Sequence, residues 1–253
     1  MLRSIRELRG YTLKAKDGAV GRCKDFLFDD AEWTIRYMVA DTRKWLPGRK
    51  VLIPAASLGE PDWQADLLHV ALTRDQIKGA PALDEDEPVS RQYEEAFLEH
   101  IGLPVYWVPA GPLGPHAFPA QPGKTAGSED RPNAGSGVRG DPHLRSCAEV
   151  TGYEVSGADG RIGRIGDFIV GDERWILRYI VVDTGSGLPG PGRRILLAPD
   201  WLTGFEWARG EARTDLTVDR VQTCPDYNPA EPVNRAYEER LYDYYGRPVY
   251  WDK

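Results

Sequence analysis

The chain has 253 residues, 41% of them hydrophobic, and carries a formal net charge of -7. That length suits two domains of about 100 residues each, and no apolar run approaches the roughly 18 residues of a bilayer-crossing helix. The acidic excess holds in both halves of the sequence, which argues against a nucleic-acid backbone as partner and gives no pull toward an anionic membrane leaflet.

The first residues, MLRSIRELRGYTL, lack the apolar core of a secretory signal. Cys23, Cys147 and Cys224 form no C-x-x-C pair and occupy unrelated positions. A reduced, cytoplasmic protein is expected, with the thiols as small buried apolar groups.

From Gly10 onward the sequence is written twice. Gly10–Thr42 aligns without a gap on Gly152–Thr184 at an offset of 142, with 15 of 33 positions identical. Glu87–Trp107 aligns on Glu231–Trp251 at an offset of 144, with 12 of 21 identical. Solenoid units run roughly 20–50 residues, so this period marks a duplicated domain.

In the first copy, Asp17-Gly18 supplies the positive φ of a tight hairpin. Alternation predicts strands over Val20–Phe28, Trp33–Ala40 and Lys50–Ile53, and Trp63–Leu72 has room for two more. Thr73–Ile77 reads as one helical turn. A helix then opens at Pro88, carries the stripe Val89, Tyr93, Phe97 and Ile101, and stops at Gly102. The module, residues 1–107, closes on Pro-Val-Tyr-Trp.

Residues 108–145 hold seven Pro and seven Gly without apolar periodicity, and read as a flexible linker. The second module, 146–253, repeats the pattern. Asp159-Gly160 makes the hairpin, Ile162–Val170, Trp175–Val182 and Arg194–Leu197 make strands, and Thr217–Val221 a helical turn. A last helix opens at Pro232 with the stripe Val233, Tyr237, Leu241 and Tyr245, and ends at Gly246. Apolar residues on both faces of Trp175–Val182 predict a central strand. The fold class is therefore mainly β: two small barrels, which leave no exposed sheet edge, each followed by a helix.

These residues carry a family resemblance. Asp17, Gly18, Gly21, Arg22, Asp25 and Phe26, then Trp33, Arg36, Tyr37, Val39, Asp41 and Thr42, then Leu46-Pro47-Gly48, resemble a PRC-barrel domain. Asp159 through Gly190 resembles it again. The match covers about residues 5–75 and 147–218. It implies small all-β barrels similar to the cytoplasmic domain of the photosynthetic reaction centre H subunit and to the C-terminal domain of a ribosome maturation factor. In both of those the barrel binds and performs no chemistry. The helical tails resemble the extensions of bacterial tandem PRC-barrel proteins.

Among residues that could carry chemistry, Asp25, Asp41, Asp167 and Asp183 recur in both copies. Asp25 and Asp167 read as turn caps, and Asp41-Thr42 and Asp183-Thr184 as strand closures through side-chain to backbone bonds. Paired at a junction of the barrels, Asp41 and Asp183 could instead hold Mg²⁺, Ca²⁺ or a small ligand. No histidine recurs, and no phosphate loop or nucleophile elbow is present. The glycine-rich Gly185–Gly192 reads as a hairpin loop. Arg36 and Arg178, mid-strand, pair with nearby recurring aspartates or face an acidic partner. Trp33, Trp175, Tyr106, Trp107, Tyr250 and Trp251 recur pairwise and are interface candidates, since Trp and Tyr dominate binding hot spots.

The expected function is a non-enzymatic protein-interaction or assembly module without cofactor, its barrels docked as an intramolecular pseudo-twofold pair and its partner a protein. Two alternatives stand beside it: the Asp41/Asp183 ligand site, and an accessory protein peripheral to a photosynthetic or other inner membrane through a protein partner.

Overall fold

The computed structural model describes residues 1–42, 50–80, 98–103, 143–185 and 192–252. The fold is mainly β. A short strand, β1 (Leu2–Ser4), precedes β2 (Thr12–Ala15), β3 (Gly18–Asp29), β4 (Thr34–Asp41), β5 (Lys50–Pro54), β6 (Leu58–Asp62) and β7 (Leu67–Val70). A second short strand, β8 (Leu144–Ser146), precedes β9 (Glu154–Ser156), β10 (Arg161–Gly171), β11 (Ile176–Asp183), β12 (Arg194–Leu197), β13 (Leu202–Glu206) and β14 (Glu211–Thr214). Neighbours run β6-β7-β2-β3-β4-β5 in the first half and β13-β14-β9-β10-β11-β12 in the second. The pairs β2–β7 and β9–β14 are parallel. One large sheet results, because β4 also pairs with β11.

The recurring residues account for this geometry. A Cβ on Gly21 would lie 2.2 Å from the carbonyl oxygen of Asp41, and one on Gly163 2.2 Å from that of Asp183. Only glycine lets the paired strands approach so closely. Asp17 Oδ1 accepts the amide of Arg74 at 2.8 Å, and Asp159 Oδ1 that of Val218 at 2.8 Å. The hairpin aspartates thus anchor the helical turns Arg74–Gly79 and Val218–Gln222, which Thr73 and Thr217 cap. Trp207 lies in the single 3-10 turn Trp207–Arg209 between β13 and β14.

Apolar residues on both faces of the central strands have two destinations. Met38 and Ala40 join a core that runs through both halves. Tyr37 and Val39 face the other way, in a cluster with Leu27, Leu52 and Ala80. In the second half the helix Arg235–Tyr245 covers the outer face, with Leu241, Tyr242 and Tyr245 buried and Tyr242 edge-on to Tyr179.

That helix opens at Arg235 and not at Pro232. Val233 is drawn into an extended bridge with Leu2, and the Asn234 side chain accepts the Tyr237 amide at 2.9 Å. Gly246 ends it with φ 64°, and Gly102 ends the helical turn at 98–101 with φ 75°. The supposed linker also ends earlier than expected, because Leu144–Ser146 is a strand paired with β3. The start of the first terminal helix with Val89, Tyr93 and Phe97, the Leu46-Pro47-Gly48 turn, most of the Gly185–Gly192 loop and residues 108–142 lie outside the described residues. Among the described residues no helix is long and apolar enough to cross a membrane.

Candidate interaction site

The junction between the two halves is a reciprocal exchange. β9 pairs with β10 only over Arg161–Arg164, leaving the far end of that edge open. There β1, from the other half, takes over: Leu2, Arg3 and Ser4 oppose Gly171, Val170 and Ile169. In the mirror arrangement β8 pairs with the far end of β3, Leu144, Arg145 and Ser146 opposing Asp29, Phe28 and Leu27. Each arm covers a strand edge that would otherwise present free backbone groups.

Each arm continues into one helical turn, Ile5–Leu8 or Cys147–Val150, which buries Ile5 and Leu8 or Cys147 and Val150. Ser4 caps the first by accepting the Glu7 amide at 3.1 Å, and Ser146 the second by accepting the Glu149 amide at 3.0 Å. The same hydroxyls donate across the junction, Ser4 to Asp167 Oδ2 and Ser146 to Asp25 Oδ2, both at 2.5 Å. The second carboxylate oxygen accepts a backbone amide from the arm, that of Arg6 or of Ala148, at 3.0 Å. Asp25 and Asp167 were expected to cap turns of their own half; they clasp the arm of the other half instead. Burial raises the pKa of Asp167 despite the lowering influence of its bonds from Ser4, Phe168 and Arg6.

The arms repeat the tripeptide Leu-Arg-Ser at the same offset of 142 that relates the modules. This was the available signal. It was obscured because Leu144 and Arg145 follow directly on a Pro/Gly-rich stretch.

Trp33 and Trp175 lie at the second part of the junction. The Ile35 amide donates to the Trp175 carbonyl and the Leu177 amide to the Trp33 carbonyl, each at 2.7 Å. Thr34 opposes Ile176, its own counterpart in the repeat. Both tryptophans hold left-handed backbone, φ 53° and 54°, which costs a non-glycine residue about 1–2 kcal/mol. The indoles offset that cost: Trp33 stacks on Phe28 at 5.2 Å, and Trp175 on Phe26 of the opposite half at 5.7 Å.

The remaining candidates disperse. Arg36 pairs with Asp29 Oδ2 at 3.2 Å, an aspartate that does not recur, since Gly171 occupies the equivalent place. Arg178 lies instead over the Tyr250 ring, 4.2 Å from its centroid. Tyr250 and Trp251 pack on Tyr242 within their own half. Buried Glu238 accepts the Tyr179 hydroxyl at 2.7 Å and the Tyr250 hydroxyl at 2.8 Å, fastening the chain's end to the sheet. Burial pushes the Tyr250 phenol up to about 12. Tyr106 and Trp107 lie outside the described residues.

Asp41 and Asp183 are not brought together. β4 and β11 meet at Thr34 and Ile176 and run apart from there, with seven residues on each side. At ~3.3 Å per residue, about 45 Å of strand separates the two carboxylates. Asp183 pairs with Arg194 at 3.0 Å. Thr184 closes its hairpin, its hydroxyl accepting the Arg193 amide at 3.0 Å. Among the described residues no three His, Cys, Asp or Glu side chains converge on a cation-sized site. Cys23, Cys147 and Cys224 are buried and free, and burial raises each thiol pKa.

No protein-family model matches this chain, and no curated protein matches it.

Proposed function

We propose that the chain is a non-enzymatic assembly module: two PRC-type barrels held as a pseudo-twofold pair by exchanged arms, offering a protein partner the outer faces on which the copies differ. The observation that carries this reading is the reciprocity of the junction. Ser4 to Asp167 and Ser146 to Asp25 are the same contact made twice in opposite directions. Thr34 opposing its own repeat counterpart Ile176 is what an isologous contact produces on a twofold axis. Asp25 and Asp167, and Trp33 and Trp175, identical in the two copies, are thus spent on pairing the halves. In this reading the protein acts in the cytoplasm and reaches the inner membrane only through its partner.

Producing residues 1–103 and 143–253 as separate chains tests the reading. The two should be recovered as a stable 1:1 complex that Asp25→Ala or Asp167→Ala weakens. Two soluble fragments that ignore each other would sink the proposal.

A further inference from the structure

We propose that the far end of β10 is a peptide-recognition groove for an extended segment in which a serine is followed by apolar residues one and four positions on, and that residues 2–8 are its displaceable occupant in this chain. The inference rests on the exchanged-arm reading and names the class of partner that the junction accepts. Strand addition supplies main-chain bonds that any sequence can make, so selectivity must come from side chains at fixed positions. Here one position is demanding. The Ser4 hydroxyl accepts the Glu7 amide and donates to Asp167, while the Arg6 amide meets the other oxygen of the same carboxylate. A segment must therefore enter extended, present a hydroxyl and turn helical immediately after it. Ile5 and Leu8 show where its apolar side chains go, since both are buried. The second copy keeps the same arrangement, Ser146 and the Ala148 amide meeting the two oxygens of the equivalent Asp25.

Ahead of the serine the two grooves hold their occupants unequally, although after it Arg6 bonds the Gly166 carbonyl where the second arm has Ala148. On β3, Asp30 binds the arm twice, taking Arg145 Nε and His143 Nδ1 at 2.9 Å each. Its equivalent, Asp172, takes only the exposed amino group of Met1, and Arg3 turns to the Trp63 ring at 4.4 Å. A cavity of about 70 Å³ also remains beside the first arm, lined by Ser4, Glu7, Ile169, Tyr227, Glu231 and Pro232. Water takes about 30 Å³ per molecule in the liquid, so the groove has unused room for a larger side chain. With the arm gone, Glu231 and Tyr227 remain on the wall, favouring a basic residue in that space.

A labelled synthetic peptide, Leu-Arg-Ser-Ile-Arg-Glu-Leu-Arg, is titrated by fluorescence anisotropy against the full chain and against a Leu2→Ser/Ser4→Ala variant whose own arm is weakened. The peptide should bind the variant at least about tenfold more tightly, and replacing its serine by alanine should lose about tenfold or more, the worth of one charge-assisted hydrogen bond. Equal binding to both proteins, or indifference to the peptide's serine, overturns the groove. Hydrogen exchange on the unmodified chain gives a test free of folding defects: amides across Ile169–Gly171 should exchange faster than those across Leu27–Asp29. Equal or slower exchange also overturns it. If the separate halves associate while these measurements fail, only the groove falls; if the halves do not associate, both readings fall.

Discussion

A single hydroxyl links the two halves at Ser4, and another does so at Ser146. Removing either partner leaves a part-buried polar group without its bond, at a cost of about 1–3 kcal/mol. Ser4→Ala and Asp167→Ala should each lower the urea-unfolding free energy by that amount. In a double-mutant cycle they should couple by about 1 kcal/mol or more, because they act on one bond. Additive losses would mean that the arm is held by apolar burial alone. Asp25 and Asp167 were legible as special, since both recur, yet their role was not. A carboxylate three positions after a Gly-Arg pair looks like a local turn cap until its partner, more than a hundred residues away, is seen. The left-handed Trp33 and Trp175 are the same kind of case. Their recurrence marked them as junction residues, while their strained backbone left no trace in composition or periodicity.

At the scale of elements the long strands were readable, because period-two alternation and Asp-Gly turns are local signals, whereas β6 lies ahead of the expected Trp63–Leu72 and the arm strands β1 and β8 gave no alternation. The last helix was readable in its stripe and in its Gly246 stop, but not in its start. Pro232 would have made a good first residue, and tertiary pairing of Val233 with Leu2 overrode it. The helix brings together a set of buried phenols that governs alkaline stability. Burial raises the pKa of Tyr179, Tyr237, Tyr242, Tyr245 and Tyr250 above the usual 10, Tyr250 to about 12. A phenol raised in the folded state holds its proton longer there than in the unfolded chain. The stability this contributes is complete below pH 10 and is lost as pH rises through the folded value. Urea midpoints should therefore fall between about pH 10 and 12, with tyrosinate absorbance lagging that of the unfolded chain. Tyr250→Phe should flatten part of the fall. A midpoint constant over that interval would show that the helix and tail do not seal these rings from water.

For the whole molecule the question is whether duplication made two domains or one. The repeat and its period were visible in the sequence and suggested two barrels on a linker, docked as a pair but each closed on itself. The structure joins them through one continuous core, a shared sheet and exchanged arms. Reciprocity of this kind is invisible to any reading that takes each copy by itself, since what an arm covers is an edge of the other half. It also has a thermodynamic consequence. Separating the halves would strip Trp175 from Phe26 and uncover two strand edges, so neither half retains its full stability alone. Unfolding should be a single transition, with tryptophan fluorescence and far-ultraviolet circular dichroism coincident. Trp175→Ala should lower that one transition by about 3–5 kcal/mol, the usual range for truncating a buried large aromatic, and should raise hydrogen exchange in β2 and β7 of the opposite half as well as around β11. Two separated transitions, or an effect confined to the second half, would mean that the arms decorate independent domains and that the junction carries little of the stability.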